Sequence, residues 1–174
     1  MRNFARQSVC LCVILLLAGC GGTPASPSLV NPSLPIADVA DLSIVTGQMV
    51  FVPAYSQITI PLNGSVQALA VTLAIHNTDL EHPIIIRSVR YYDTQGALIR
   101  EFVDEPVLLN ALGTTGYVVG ESGRTAGWGT NFIVEWAAEQ PVYEPVIEAL
   151  IYNNGGLEGF SFISPGRIIS EQVP

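Results

Sequence analysis

The sequence predicts an all-β protein: a single antiparallel β-sandwich of immunoglobulin-like architecture, set behind a signal peptide and a proline-rich tether. Three observations predict it. Apolar residues recur at period two in one stretch after another, as in "VQALAVTLAIHN". Gly and Pro clusters separate these stretches at short intervals, the rhythm of many short strands. No window carries a helical stripe; the one helix-friendly stretch, "EWAAEQP", is closed by Pro141.

Residues 1–19 have the parts of an export leader. Arg2 and Arg6 give a positive front, Val9 to Leu17 an uncharged apolar core, and Ala18 and Gly19 a small-residue end. That core is shorter than the roughly 20 apolar residues a spanning helix needs. Leu17-Ala18-Gly19-Cys20 resembles the bacterial lipobox. The resemblance implies that Cys20 carries a diacylglyceryl group and becomes the N-terminus. Each methylene buried in the bilayer would then contribute about 0.8 kcal/mol. Cys10, Cys12 and Cys20 all lie in or at the end of the leader, so the mature chain has no disulfide to form.

Residues 20–46 are expected to be the lipidated N-terminus and a flexible tether. Pro24, Pro27, Pro32 and Pro35 recur among Ser, Asn and Gly, which stiffens a segment and denies it a ladder. The domain is expected over residues 47–174. Its strand candidates are Met49 to Val52, the Leu69–Ile75 stretch, "PIIIRSVRYYD", Leu98 to Val103, Thr115 to Val119, Phe132 to Trp136, Val146 to Tyr152 and Gly159 to Ile163. In the second of these, Leu69, Val71, Leu73 and Ile75 share one face. Gln95-Gly96 suits a tight hairpin after Asp93.

Charge narrows the partners. The chain carries 15 acidic against 7 basic residues and no lysine; losing Arg2 and Arg6 with the leader takes the net charge from −8 to −10. An acidic body argues against nucleic acid, which needs a clustered basic face, and against lying flat on anionic lipid. The acyl chains, not the protein surface, are expected to hold the membrane.

Four stretches in order, "GQMVFVPAYSQI", "LAVTLAIHNTDLEHPIIIRSVRYYDTQGALI", "TNFIVEWAAEQPVYEPVIEAL" and "GFSFISPGRII", resemble a family of uncharacterised bacterial lipoproteins, domain of unknown function 3124. The resemblance spans Gly47 to Ile169. It implies export and brings no catalytic residue with it.

Candidate sites are few. His76, Asp79, Glu81 and His82 crowd one turn and offer nitrogen and oxygen ligands for a metal. Against that, neighbouring side chains on a turn diverge, and Asn77 and Asp79 have an ordinary role in capping the turn. Two histidines in one turn and no G-x-S-x-G elbow give no nucleophilic triad. Tyr91 and Tyr92 should face opposite sides of their strand, so that an outward Tyr92 beside Asp93 could grip a sugar or peptide. Arg87 and Arg90 fall on opposite faces of the same strand if it is regular, which would bring one of them near the core or to a sheet edge, with Glu135 or Glu148 as its natural partner. The loop "VGESGRTAGWGTN" carries Arg124 and Trp128 among glycines, and Arg and Trp are enriched at binding hot spots. Trp128 is expected either as an exposed contact or as a lid folded back on its own core.

The expected function is a lipid-anchored, non-enzymatic binding or scaffold module of the cell envelope, with no cofactor and an envelope protein or glycan as partner. The rival is a metal-dependent or carbohydrate-active envelope enzyme using the His76–His82 turn. Gly21 rather than Asp after the cysteine points to the outer membrane of a two-membrane bacterium.

Overall fold

In the computed structural model the described residues are 34–38, 42–120, 127–153 and 159–172. They contain twelve strands and no helix. Period-two alternation has become pleat. In β1 (Thr46–Ala54) and β9 (Thr130–Ala138) every second residue points inward, and Val50, Val52 and Ala54 lie opposite Val134, Phe132 and Thr130. The Ala and Glu residues that made "EWAAEQP" helix-friendly are overridden by this pairing. Trp136, Ala137 and Ala138 continue β9 and are buried.

All strand pairs are antiparallel. A six-stranded sheet runs β12 (Arg167–Gln172), β1, β9, β5 (Ile84–Tyr92), β6 (Leu98–Glu101), with β7 (Val107–Leu109) also on β5. A four-stranded sheet runs β11 (Phe160–Pro165), β10 (Val146–Asn153), β4 (Ala70–His76), β8 (Thr114–Val119). A separate ribbon joins β2 (Gln57–Thr59) to β3 (Val66–Ala68). β2, β7 and β12 lie outside the expected strands, and the alternating stretch "VQALAVTLAIHN" is split at Leu69 into β3, on the ribbon, and β4, on the four-stranded sheet.

One buried cluster takes side chains from both large sheets: Val52, Val89, Phe132, Val134 and Trp136 from one, Leu73, Ile75, Ala149 and Ile151 from the other. Each large apolar side chain moved there from water contributes about 1.5–3 kcal/mol. Leu69, Val71, Leu73 and Ile75 are all buried on the same side, as their alternation predicts.

β5 differs from its regular reading. Its register against β9 shifts between Ile86 and Ser88. This bulge turns both Ile86 and Val89 inward and leaves Arg87 exposed. No arginine has to enter the core. Arg90 stays on the outer face and pairs with Glu135, while Glu148 lies on another sheet.

Among the described strands, six connections pass from one large sheet to the other: β1 to β4 by way of the β2–β3 ribbon, β4 to β5, β7 to β8, β8 to β9, β9 to β10 and β11 to β12. Three lie at one pole: residues 77–83, 110–113 and 139–145. The last is Gly166 between β11 and β12, where a Cβ would come within 2.7 Å of the Ile147 carbonyl oxygen and of Val50. Only glycine allows that close approach.

The segment expected to be tether is docked at its end. Ile36 forms a bridge with Val107, Ala37 N donates to the Pro106 carbonyl at 2.8 Å, and Leu108 N to that of Pro35 at 2.9 Å. Leu34 packs against the core. Proline lacks an N–H but keeps its carbonyl, which is the group Pro35 uses.

Candidate functional site

The two poles hold the candidate residues. At the crossover pole, the side chain of Asn77 is buried, and its Nδ2 donates to the carbonyls of His82, Leu109 and Asn110 at 2.9–3.2 Å. Its Oδ1 accepts from Asp79 N at 3.0 Å. Asp79 Oδ1 accepts from the backbone N–H groups of Glu81 and His82 at 2.9 and 2.8 Å, and its Oδ2 from Tyr143 N at 3.1 Å. These two side chains thus tie together the three connections that cross at this pole. The N–H donors of Glu81 and His82 hold the Asp79 carboxyl down at about 2, against an ordinary 3.8; partial burial opposes them, and Tyr143 N and the His82 imidazole add to the lowering.

The metal candidates are arranged around that knot. His82 Nδ1 is 3.4 Å from Asp79 Oδ1. His76 Nδ1 is instead 2.9 Å from Thr114 Oγ1 on the neighbouring strand, and the side chain of Glu81 is exposed. Among the described residues no three His, Cys, Asp or Glu side chains gather closely enough to hold a metal ion. Asp79's oxygens face main-chain N–H groups, Oδ1 those of its own turn and Oδ2 that of Tyr143. A groove of about 420 Å³ lies beside it, walled by Leu80, Pro141, Val142 and Tyr143.

The opposite pole is built from the end of β1, the β5–β6 hairpin, and the starts of β9 and β11. Trp128 is 62% exposed and leans on Tyr55, with ring centroids 6.5 Å apart and planes 18° from parallel. Tyr55 meets Phe162 at 6.1 Å, and Phe162 stacks beside Phe160 at 6.4 Å and 9°. Four rings from three distant stretches therefore make one continuous surface. Tyr55 and Trp128 also wall a groove of about 410 Å³ with Gln57, Ile58 and Thr59.

This surface is fixed from below. Ser56 Oγ donates to the Gly127 carbonyl, and Gly129 N donates to Thr94 Oγ1 at 3.1 Å. Gly127 has φ of +83°, and a Cβ there would run into Thr94. Tyr91 is buried beneath; burial pushes its phenol up, partly offset by the hydroxyls of Thr130 and Ser56.

Trp128 is thus exposed rather than folded back as a lid on the core. Arg124 lies outside the described residues, as does Cys20. Tyr91 faces in and Tyr92 out, as alternation requires. Asp93 differs from its reading as a grip: its Oδ1 accepts from the N–H groups of Gln95 and Ala97 at 2.9 and 2.8 Å and shapes the Gln95-Gly96 turn. The hairpin reaches the Trp128 loop through Thr94 instead. Sequence reasoning missed Tyr55, Phe160 and Phe162. Phe-Ser-Phe on a strand puts both rings on one face, which is a signal for the pair but not for its meeting with Tyr55.

Residues 47–169 match the family described as "Protein of unknown function (DUF3124)", and the chain belongs to that family. No curated protein matches the chain. Among solved structures it is similar to "Crystal Structure of Thermotoga maritima 1070", from Thermotoga maritima. The identity is 13% and the TM-score 0.38, over 69% of this chain and 92% of that one.

Proposed function

We propose that this member of the family is a lipid-anchored bacterial envelope protein that works as a non-enzymatic binding module and meets its partner at the aromatic pole. The observation that carries the reading is the chain of four rings, in which Trp128 and Phe162 are exposed and Tyr55 and Phe160, half-buried, seat them on the core. Trp128 touches Tyr55 yet stays 62% exposed, and its neighbour Gly129 is bonded to Thr94, so a large apolar area is held in solvent. The titratable groups of the other pole support a binding role over chemistry, since both oxygens of Asp79 are already engaged by backbone N–H groups.

We read the two large sheets around one core as an immunoglobulin-like sandwich. The leader of residues 1–19 and the lipobox-like Leu17–Cys20 support the anchor, and Gly21 supports the outer membrane as its site. The chain enters the domain beside β7, at the crossover pole. The rings lie at the far end of β5 and β9, roughly 25–30 Å away for nine-residue strands. An anchor on one end and a binding surface on the other would present the rings away from the bilayer.

Site-specific photo-crosslinking in cells tests this. A crosslinker at position 128 should give discrete adducts, one at position 80 should not, and Cys20→Ser should release the protein from the membrane fraction. Adducts from position 80 alone, or a Cys20→Ser protein still processed and membrane-bound, would overturn the reading.

A further inference from the structure

We propose that the aromatic pole binds an uncharged polysaccharide strand, whose sugar rings lay their C–H faces on Trp128, Tyr55, Phe162 and Phe160. The inference rests on the binding reading above and names the ligand class for it.

A pyranose has two kinds of surface. Its faces carry C–H groups, and its rim carries hydroxyls that donate and accept at once. An aromatic face is negative and attracts polarised C–H groups. The pole supplies a run of rings with neighbouring centroids 6.1–6.5 Å apart, Trp128 and Phe162 exposed and Tyr55 and Phe160 half-buried between and beside them, so that successive sugars along a strand can meet an aromatic surface. The groove between Tyr55 and Trp128 supplies the rim contacts: Gln57 offers an amide donor and acceptor, and Thr59 a hydroxyl that is both.

Charge points the same way. Among the described residues, those walling this groove, Tyr55, Gln57, Ile58, Thr59 and Trp128, carry no group that is charged at neutral pH. The chain as a whole is acidic, which disfavours an anionic polymer. A proline-rich peptide also docks on aromatic grooves, but it offers many carbonyl acceptors and few donors, so it would use only half of what Gln57 and Thr59 present. The site is also preset. The bonds from Ser56 to the Gly127 carbonyl and from Gly129 N to Thr94 hold Trp128's flanks before any ligand arrives, which lowers the entropy cost of binding.

The full chain, purified in detergent, would be tested against cellulose, chitin and a soluble mixed-linkage β-glucan, with decaproline as the competing peptide probe. Saturable binding to at least one of the three polysaccharides is expected. Loss of one stacking face should weaken it about tenfold in Trp128→Ala, and Thr59→Val should weaken it less. Leu80→Ala, at the other pole, should bind as wild type does. Trp128→Ala removes an exposed side chain, so it keeps the fold if Tyr55→Ala does not. The proposal is overturned by no binding to any of the three, by binding that survives Trp128→Ala, or by decaproline binding in their place. Protein adducts from position 128 without polysaccharide binding would end this inference and leave the binding pole standing.

Discussion

The two poles of the molecule spend their polar and apolar groups in opposite ways. At the crossover pole, residues that look chemically able are consumed by the backbone: Asn77 and Asp79 accept or donate seven hydrogen bonds between them, joining turns more than 60 residues apart in sequence. At the aromatic pole side chains such as Ser56, Asp93, Thr94 and Thr130 also bond the backbone in place, but Trp128 and Phe162 are left exposed on that frame. A cluster of titratable residues is thus a poor guide to a site when their partners are main-chain N–H groups. An exposed apolar surface on a fixed frame is the better one.

The contrast can be broken most sharply by Asn77→Ala. Three buried or half-buried carbonyls and one N–H lose their partner together, which should cost about 1–3 kcal/mol or more in urea unfolding. A change within 0.5 kcal/mol would mean the knot is incidental.

Gly127→Ala should come next. Alanine is strained at a φ of +83° and its Cβ meets Thr94, so a loss of about 1–2 kcal/mol is expected, together with a displaced Trp128. Unchanged stability and an unchanged Trp128 emission would show that the loop needs no glycine.

Acid separates the poles by pH. Asp79 has a folded value of about 2 against an ordinary 3.8, so its contribution to stability is fully present above about pH 4. It is lost as pH falls from there through about 2. Asp79→Asn keeps an acceptor for Glu81 and His82 but cannot titrate. The urea midpoint of the wild type should therefore fall more steeply than the variant's across that window; parallel profiles would contradict the assignment.

The smallest expected effect is Trp128→Ala on stability, within about 0.5 kcal/mol for an exposed side chain. In a Trp136→Phe background, Trp128 should emit as a solvated indole and be quenched by iodide, unlike the buried Trp136. A blue-shifted, protected Trp128 would sink the contrast between the poles.

Much of the fold was legible residue by residue. The alternation of Leu69 to Ile75 and of Phe132 to Trp136 fixes strands and their inward faces, because a side chain's face follows from its parity alone. Gln95-Gly96 fixes a hairpin, and the absence of a helical stripe fixes the class. The opposite faces of Tyr91 and Tyr92 needed nothing more. Parity failed where the pleat itself was interrupted: the bulge at Arg87 cannot be read from a strand in isolation, since it exists only relative to the register of β9. Strand pairing likewise decided that "EWAAEQP" extends a sheet.

What only the tertiary structure decided is which distant residues meet. Ser56 reaches Gly127 across 71 positions, and Asp79 reaches Tyr143 across 64. Tyr55, Trp128, Phe160 and Phe162 belong to three separate stretches, and each alone reads as ordinary strand or loop. Periodicity is a local property, set by how one residue's backbone directs the next side chain. Contact between poles and loops depends on sheet order and on where the chain crosses from one sheet to the other, and no local pattern encodes that order.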